Sequence, residues 1–269
     1  MKVGIVGCAG RMGQMLVREV LATSSCELCG GTESPGHVAL GQDIAARIGL
    51  SPCGLNIRDD TPSLFQISDV VIDFTLATIT ETHTTLAAQH GTKLILGTTG
   101  HDEQQISSIT AAAKKTTIVK AMNFSVGINI LFKLTKDIAR TVDEEFDIEI
   151  VEMHHRHKID SPSGTAIGLG EAAAAGRKTA LPDVANWGRN RETGKRSPGE
   201  IGFASLRGGE VVGEHKVIFA GNSERIELSH TAYSRELFAK GAVIAAKWAN
   251  HKDTGLYDMI DVLGMGEQA

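Results

Sequence analysis

The stretch "VGIVGCAGRMGQML" near the start of the chain constrains its fold more than any other. A β-branched run over residues 2–7 leads into a glycine-rich turn, and a helix-like segment over residues 11–22 follows. The glycines of the turn are Gly7, Gly10 and Gly13. A strand, a tight glycine turn and a helix in this order let the backbone approach a pyrophosphate and point helix N–H groups at it. The stretch therefore predicts a dinucleotide site, although glycines alone also suit a purely structural turn.

An acidic residue strengthens the prediction of a dinucleotide site. Glu33 lies 20 residues after Gly13, at the end of a second predicted strand over residues 26–32. A carboxylate at this spacing holds the adenosine ribose hydroxyls. It favours NADH over NADPH, because a 2′-phosphate would meet like charge, and Ser34 offers no guanidinium to bind that phosphate. A lysine or arginine from elsewhere in the chain would reverse the preference, so NADPH stays open.

The first half of the chain alternates short apolar runs with helix-like stretches. The further predicted strands are residues 70–74, 94–97 and 117–121, and the further predicted helices are residues 78–90 and 102–114. The runs "VVIDF" and "LILGT" are nearly continuous in apolar residues, which is typical of strands covered on both faces. The βαβα rhythm predicts an α/β fold with an N-terminal Rossmann-type domain built on a parallel sheet.

The pattern changes near Asn123. We expect a helix over residues 126–141 with Ile130, Leu131, Leu134 and Ile138 on one stripe. The following "FDIEIVEMH" alternates, so that Ile148, Ile150, Glu152 and His154 share one side of a strand.

The rest of the second half predicts an α+β domain. Residues 176–199 resemble a long loop, and "IGFASLRGGEVVGEHKVIFAG" and "ERIELSHTA" resemble strands of a mostly antiparallel or mixed sheet. We therefore expect a dinucleotide-binding domain over residues 1–125, with the C-terminal helix in residues 235–269 returning to it. Residues 126–234 form the second predicted domain.

Composition and charge disfavour two classes of partner. The chain has 27 Lys and Arg against 32 Asp and Glu, a formal charge of −5, whereas a dedicated nucleic-acid binder carries a basic face. No apolar run approaches the roughly 20 residues that span a bilayer. The start of the chain leads into a strand without the apolar segment of a signal peptide. We expect a cytoplasmic protein that binds neither nucleic acid nor membrane.

The cysteines do not predict a metal or redox site. They are Cys8, Cys26, Cys29 and Cys53. The C-x-x-C pair lies in a predicted strand, whereas a redox dithiol normally lies at a helix N-terminus, and no second pair follows to complete a zinc site. We interpret these cysteines as packing residues.

The densest cluster of titratable charge lies in "EMHHRHKIDSPSGTA", over residues 152–166. Its histidines do not share one face of a strand, and Arg156 and Lys158 would repel a divalent cation, so we predict no metal there. A solvated loop would explain the charges, but not why they follow a strand whose alternation ends on His154.

An anion site explains the cluster better. Ser161 or Ser163 can cap a helix that begins near Gly164 and Thr165, and a helix N-terminus stabilises anions. Lys158 and His155 add positive and titratable groups beside it. A small polycarboxylate fits this combination better than a nucleic acid, which needs a wider basic stripe.

Two further loops follow predicted strands. "GTTG" occupies residues 97–100 and "AMNF" occupies residues 121–124. Ligands of open α/β sheets bind outside the carboxyl ends of the strands, so these loops are expected to border the nicotinamide. Either loop taken alone is also compatible with an ordinary turn.

Six motifs in order along nearly the whole chain resemble the dihydrodipicolinate reductase family. They are "GCAGRMGQ", "VVIDFT", "GTTG", "NFSVGINI", "EIVEMHHRHKIDSPSGTA" and "GFASLRGGEVVGEH". The resemblance implies an oxidoreductase of lysine and diaminopimelate biosynthesis that reduces 4-hydroxy-tetrahydrodipicolinate with NADH or NADPH. It also implies a homotetramer built through the sheet of the second domain, which would bind the substrate, a small dicarboxylate.

The resemblance also implies roles for individual residues. His154 would donate or accept the proton, Lys158 would be the second catalytic cation, and His155, Gly164 and Thr165 would hold the substrate carboxylates. The implied cofactor site comprises Gly7, Cys8, Ala9, Gly10, Arg11, Met12, Glu33, Gly97, Thr98, Thr99, Ala121, Met122, Asn123 and Phe124. Ser34 departs from the pattern, because members that use both cofactors often carry an arginine there.

Two alternatives share the glycine turn. Another two-domain nicotinamide oxidoreductase, such as an amino-acid dehydrogenase, would not require "HHRHK" beside "SPSGTA". A non-catalytic protein that senses NADH would need a partner- or DNA-binding module, and the sequence offers none.

Overall fold

The computed structural model describes residues 1–189, 191 and 194–266, which form two compact units. The first contains Met1–Ser125 and the chain from Glu236 onward, and the second contains Val126–Arg235. In the described residues the strands are β1 (Lys2–Val6), β2 (Glu27–Thr32), β3 (Val70–Asp73), β4 (Lys93–Leu96), β5 (Thr117–Lys120), β6 (Asp147–His154), β7 (Ala185–Asn186), β8 (Ile201–Arg207), β9 (Gly213–Ala220), β10 (Arg225–Ala232) and β11 (Gly255–Tyr257). The helices are α1 (Arg11–Ala22), α2 (Thr61–Ile67), α3 (Thr80–His90), α4 (Glu103–Ala113), α5 (Val126–Thr141), α6 (Gly164–Gly176), α7 (Leu181–Val184), α8 (Glu236–Ala249) and α9 (Met259–Val262).

The first unit is built on a parallel sheet with the strand order β11-β5-β4-β3-β1-β2. Every residue of β3 is buried, because apolar clusters cover the sheet on both faces. One cluster joins the sheet to α1 and α8, and the other joins it to α2, α3 and α4. The prediction of a Rossmann-type parallel sheet is confirmed.

The C-terminal segment completes the first unit. Helix α8 buries a row of alanines and approaches the chain closely at Gly241, where a Cβ atom would lie 1.7 Å from the carbonyl oxygen of Phe124. Strand β11 then pairs in parallel with β5. We did not predict this strand, because three residues are too few to show a period and its partner lies far away in the sequence.

The second unit contains a mixed sheet with the strand order β10-β9-β6-β8-β7. Strand β6 lies at its centre, antiparallel to β9 and parallel to β8. The alternation predicted for β6 is confirmed, since Ile148, Ile150, Glu152 and His154 are buried and the residues between them are partly exposed. Helices α5 and α6 pack over the buried face of this sheet.

One local prediction in the second unit is wrong and another is half right. The segment expected to be a loop contains α7 and β7, which are too short to show a helical or strand period. Of the stripe predicted on α5, Leu131 is buried and Ile138 packs against the core, whereas Ile130 and Leu134 are 39% and 42% exposed. The helices approach closely where small residues meet, since a Cβ atom at Gly176 of α6 would lie 2.4 Å from the carbonyl oxygen of Lys136 and 2.8 Å from Cβ of Ala139.

None of the helices in the described part of the chain has the length and apolar character needed to cross a bilayer.

Candidate functional site

The glycine turn of the first unit has the geometry of a phosphate-binding loop. Gly7 adopts a left-handed conformation with φ of 65°, and its carbonyl accepts a hydrogen bond from the N–H of Gly10 at 3.0 Å. A Cβ atom on Gly13 would lie 2.0 Å from the carbonyl oxygen of Gly7, so only glycine lets α1 start this close to the turn. No side chain caps the N-terminus of α1, which begins at the exposed Arg11. Its first N–H groups therefore suit an anionic ligand.

Glu33 lies beside this turn, as its spacing predicts. Its Oε1 accepts a hydrogen bond from the N–H of Ala9 at 2.9 Å. Cys8 is buried, and the pKa of its thiol is raised to about 12, first by burial and then by the charge of Glu33. Cys8 is therefore a neutral packing residue at this edge of the sheet. Met12, on the first turn of α1, is half-buried.

The loops after β3, β4 and β5 meet at the same edge. Thr98 is buried, and its hydroxyl donates to the carbonyl of Thr75 at 3.3 Å, while Thr99 is exposed. A Cβ atom at Gly97 would lie 2.4 Å from the ring of Phe74, and that ring packs against Phe124 at a centroid distance of 5.3 Å.

The loop after β5 presents a more open surface. Met122 is 59% exposed and Ala121 is half-buried. The Asn123 side-chain oxygen accepts from the N–H of Ser125 at 2.8 Å, which fixes the turn at the end of the strand.

Sequence reasoning missed the residues that hold these loops together. The methyl group of Thr75 packs against Gly7, since a Cβ atom on residue 7 would lie only 2.8 Å from that methyl group. Asp73 fixes Thr75 by accepting hydrogen bonds from its N–H at 2.8 Å and its hydroxyl at 2.5 Å. The other Asp73 oxygen lies 2.7 Å from Nδ1 of His83, and both side chains are buried. An aspartate at the end of an otherwise apolar strand is a local signal that could have drawn attention to this pair.

The second unit places His154 at the end of β6, where it is 9% exposed. Its Nδ1 lies 2.6 Å from Oε2 of Glu152, two residues earlier on the same buried face. Arg207 of β8 donates to both oxygens of Glu152, at 2.8 and 2.7 Å. Burial by itself would raise the pKa of the Glu152 carboxyl, but the hydrogen bonds from His154 and Arg207 lower it to about 2. Glu152 is therefore a carboxylate at neutral pH.

The turn before α6 contacts the same carboxylate. The N–H of Ser163 donates to Oε1 of Glu152 at 3.2 Å. The Ser163 hydroxyl accepts from the N–H of Ala166 at 3.2 Å, so Ser163 is the cap of the helix. Gly164 and Thr165 are the first helical residues, at the end of the helix whose dipole stabilises anions. The predicted serine cap and helix start are confirmed.

His215 of β9 is a further residue that sequence reasoning missed. Its Nε2 lies 3.1 Å from the Ser163 hydroxyl, and its ring packs edge-on against that of His154 at 5.1 Å. Burial and, to a lesser extent, the charge of His154 lower the pKa of His215 to about 3. The imidazole is therefore neutral at physiological pH. In "GEHKVIFA", His215 has the same alternate spacing as the apolar Val217 and Phe219, which are buried. This alternation is the signal that could have placed His215 in the interior.

The predicted substrate contacts lie next to this network. Lys158 is partly buried, and its Nζ lies 2.8 Å from the carboxylate of Asp160. Nε2 of His155 lies 3.4 Å from a guanidinium nitrogen of Arg235. Nδ1 of His155 has no hydrogen-bond partner among the described residues. Burial, and then the charges of Arg235 and His157, lower the pKa of His155. The described residues contain no cluster of histidine, cysteine or acidic side chains suited to a metal ion. This arrangement can bind a small anion and exchange a proton beside it.

Comparison with known proteins identifies the family. The profile described as dihydrodipicolinate reductase, N-terminus, matches residues 1–124, and the one described as dihydrodipicolinate reductase, C-terminus, matches residues 127–263. The chain belongs to the dihydrodipicolinate reductase family. The identification from sequence motifs is confirmed, and a member of this family is a nicotinamide-dependent oxidoreductase.

Several relatives of this family are similar over nearly their whole length. A 4-hydroxy-tetrahydrodipicolinate reductase of Ruegeria sp. (strain TM1040) is 50% identical over 261 residues, which cover 97% of each chain. One from Dinoroseobacter shibae is 47% identical over 261 residues, again 97% of each chain. A solved structure of a dipicolinate-bound dihydrodipicolinate reductase from Paenisporosarcina sp. TG-14 superposes with a TM-score of 0.77 at 24% identity, covering 97% of this chain and 98% of that one. This last similarity shows that the fold is shared.

Proposed function

We propose that the chain reduces 4-hydroxy-tetrahydrodipicolinate to tetrahydrodipicolinate with NADH or NADPH, a step of lysine and diaminopimelate biosynthesis. The observation that carries the proposal is the identity of about half the residues, over 97% of both chains, with proteins of that name. The charge distribution of the second unit supports it, because Lys158 and the N-terminus of α6 suit a dicarboxylate. An amino-acid dehydrogenase would not need Lys158 and this helix N-terminus side by side.

The first unit fits a dinucleotide. The uncapped N-terminus of α1 and the close approach at Gly13 suit the pyrophosphate, and Glu33 suits the ribose hydroxyls. The loops after β4 and β5 would border the nicotinamide, which supplies a hydride when bound in reduced form. The proposed cofactor residues are those of the four loops described above, from Gly7 to Met12, at Glu33, from Gly97 to Thr99 and from Ala121 to Phe124.

Glu33 and Ser34 support NADH as the preferred cofactor. The Glu33 carboxylate would repel a 2′-phosphate, and Ser34 is an exposed residue without positive charge. We therefore propose that NADH is used more efficiently than NADPH, while both are accepted.

His154 is the proposed proton donor. Its Nδ1 is held by Glu152, so Nε2 is the nitrogen left to exchange a proton. Addition of hydride to the unsaturated ring leaves negative charge on the conjugated system, and transfer of one proton neutralises it. Lys158 would stabilise the developing charge, while His155, Gly164 and Thr165 would hold the carboxylates. A neutral His155, as its lowered pKa indicates, would bind a carboxylate by donating a hydrogen bond.

The uncovered face of the second sheet supports the proposed homotetramer. Val151 and Met153 of β6 and Leu206 of β8, which is 51% exposed, lie there beside the charged Glu214 and Lys216 of β9. A second copy of the same sheet face is the proposed partner, and analytical ultracentrifugation of the purified chain tests it. A cytoplasmic location stays a prediction.

A coupled comparison tests the proposed reaction. NADH oxidation is followed with the freshly made cyclic substrate, and in parallel with a 2-oxo acid plus ammonia. We expect oxidation with the cyclic compound only, and strong loss of turnover in His154→Gln but not in the matched control His157→Gln, an exposed histidine of the same cluster. Oxidation with the 2-oxo acid alone would show an amino-acid dehydrogenase, and NADH binding without turnover of either substrate would show a sensor.

A further inference from the structure

Glu152 occupies an unusual position in the second unit. It is 1% exposed, yet its two oxygens accept hydrogen bonds from His154, from the N–H of Ser163 and twice from Arg207, and the side chain of Ser205 bonds to it as well. A buried carboxylate is costly unless it is paired and hydrogen-bonded. Arg207 alone would satisfy the charge in a bidentate geometry. The contacts to His154 and Ser163 therefore exceed what burial of the carboxylate requires.

The two additional contacts connect separate parts of the proposed site. Oε2 holds Nδ1 of the proposed proton donor, whereas Oε1 holds the turn from which α6 begins. Because an ionised carboxylate can only accept hydrogen bonds, Nδ1 of His154 must carry a proton. The nitrogen that gains or loses a proton is therefore Nε2. The same side chain thus sets the tautomer of the imidazole and its position relative to Gly164 and Thr165.

We infer that Glu152 is a positioning residue for the proposed reduction, holding His154 in the tautomer and orientation that present Nε2 to the substrate while it anchors the turn that binds the substrate carboxylates. The inference rests on the proposed function. A carboxylate that orients a catalytic imidazole in this way lowers the barrier through the histidine, not by touching the substrate.

The charge of Glu152 also acts on the protonated form of His154. Among the described residues, Oε2 of Glu152 contacts Nδ1 of this imidazole, the ring of His215 on β9 packs against it edge-on, and Gly213 lies beside its Nε2. His155, the next residue, interacts with it electrostatically. His215 contributes no charge near neutral pH, because burial lowers its pKa to about 3. A carboxylate in hydrogen-bond contact with a base stabilises the charged form of that base, so Glu152→Gln removes this stabilisation.

Glu152→Gln isolates this role. Glutamine keeps one acceptor oxygen for Ser163 and Arg207, but it places an NH2 group, which can only donate, where Oε2 accepts from Nδ1 of His154. General acid catalysis contributes about 10²- to 10⁴-fold, so we expect kcat to fall by roughly tenfold to a hundredfold while KM for the cyclic substrate changes less. We also expect the decline of kcat at alkaline pH to begin at a lower pH than in the unsubstituted protein. The matched control is Glu149→Gln, which removes another ion-paired carboxylate, from the opposite face of β6, and should preserve both kcat and the pH profile.

A double variant decides whether Glu152 acts through His154. If it does, Glu152→Gln has no further effect on kcat in a His154→Gln background. An equal fold-loss in both backgrounds, or an unchanged alkaline limb in Glu152→Gln, would overturn the inference and leave only a structural ion pair.

A titration of the His154 ring by NMR separates this inference from the proposed reaction. We expect a protonated Nδ1 in the neutral imidazole of the unsubstituted chain and a different tautomer balance or pKa in Glu152→Gln. If the chain fails to reduce the cyclic substrate, the proposed function is wrong, yet the titration still shows whether Glu152 orients His154. Identical ring titrations in both proteins would reject the orienting role by themselves.

Discussion

Gly213 leaves room for the imidazole of His154, since a Cβ atom on residue 213 would lie 3.1 Å from Nε2 of that histidine. The two residues face each other at the end of β6 and the start of β9, and the nitrogen involved is the one that Glu152 leaves available. A side chain at residue 213 would thus crowd the proposed proton-transfer atom. The constraint at residue 213 is one of space and not of backbone conformation, which is not left-handed.

Gly213→Ala should therefore impair turnover more than folding. The added methyl group would press on Nε2 of His154, and we expect kcat to fall by about tenfold because misplacement of a catalytic group by a fraction of an ångström is costly. Steady-state kinetics and thermal unfolding check this. Gly188→Ala is the matched control, because nothing lies within 4 Å of a Cβ atom there. Equal kcat values in the two variants would show that Nε2 does not take part.

Lys158→Ala should weaken the recognition of a dicarboxylate. Loss of the ammonium removes one charge-assisted contact and the stabilisation of charge that develops on the ring, so we expect kcat/KM to fall by about 10²- to 10³-fold. The control is Lys195→Ala, an exposed lysine of the same unit. A lowered Tm with unchanged kcat/KM would contradict a role of Lys158 in the reaction.

Gly13→Ala should affect the cofactor selectively. A methyl group at residue 13 would lie 2.0 Å from the carbonyl oxygen of Gly7, so α1 must move away from the turn. We expect KM for NADH to rise by about tenfold or more, with a smaller change in KM for the cyclic substrate, because each lost phosphate contact costs roughly 1.5–3 kcal/mol. Fluorescence titration with NADH measures the loss directly. Unchanged NADH affinity would remove this turn from the cofactor site.

Ser34→Arg should shift cofactor use towards NADPH. A guanidinium beside Glu33 would bind the 2′-phosphate that the carboxylate repels, and we expect the ratio of kcat/KM for NADPH to that for NADH to rise by about tenfold. Ser51→Arg adds the same charge at another exposed serine of the first unit and should leave the ratio unchanged. If both variants give the same ratio, a different residue contacts the ribose.

His215 should make the folded state sensitive to mild acid. Its pKa is about 3 in the folded protein and near the usual 6.5 when the chain is unfolded. Between these values the unfolded state binds the extra proton, so the contribution of His215 is complete above about pH 6.5 and is lost as the pH falls towards 3. The slope is at most about 1.4 kcal/mol per pH unit.

Denaturant unfolding between neutral pH and about pH 4.5 tests this contribution. His215→Gln keeps a partner for the Ser163 hydroxyl but cannot titrate, and we expect its unfolding free energy to depend less steeply on pH. The exposed His90→Gln should retain the original slope. A slope in His215→Gln as steep as in the unsubstituted chain would mean that another group causes the acid sensitivity.

Local patterns predicted much of the fold because they report on local geometry. The strand, turn and helix around Gly7 follow from a few adjacent residues, and the period of two along β6 places Glu152 and His154 on the buried face. The same reasoning was half right for α5: Leu131 is buried and Ile138 packs against the core, but Ile130 and Leu134 are exposed. The buried face there also includes the small residues Thr135 and Ala139, which a search for large apolar residues passes over. It also missed β11, whose pairing with β5 is not encoded in its own three residues.

The sequence by itself determined the family, the two kinds of unit, the glycine turn with Glu33, and the cluster around His154. Only the tertiary structure decided which side chains surround that histidine. Arg207 and His215 come from strands 55 and 63 positions beyond Glu152, and β6 pairs with both of those strands. Periodicity tells which face of a strand is buried, but the neighbours across a sheet depend on strand order and register, which are set by packing of the whole unit.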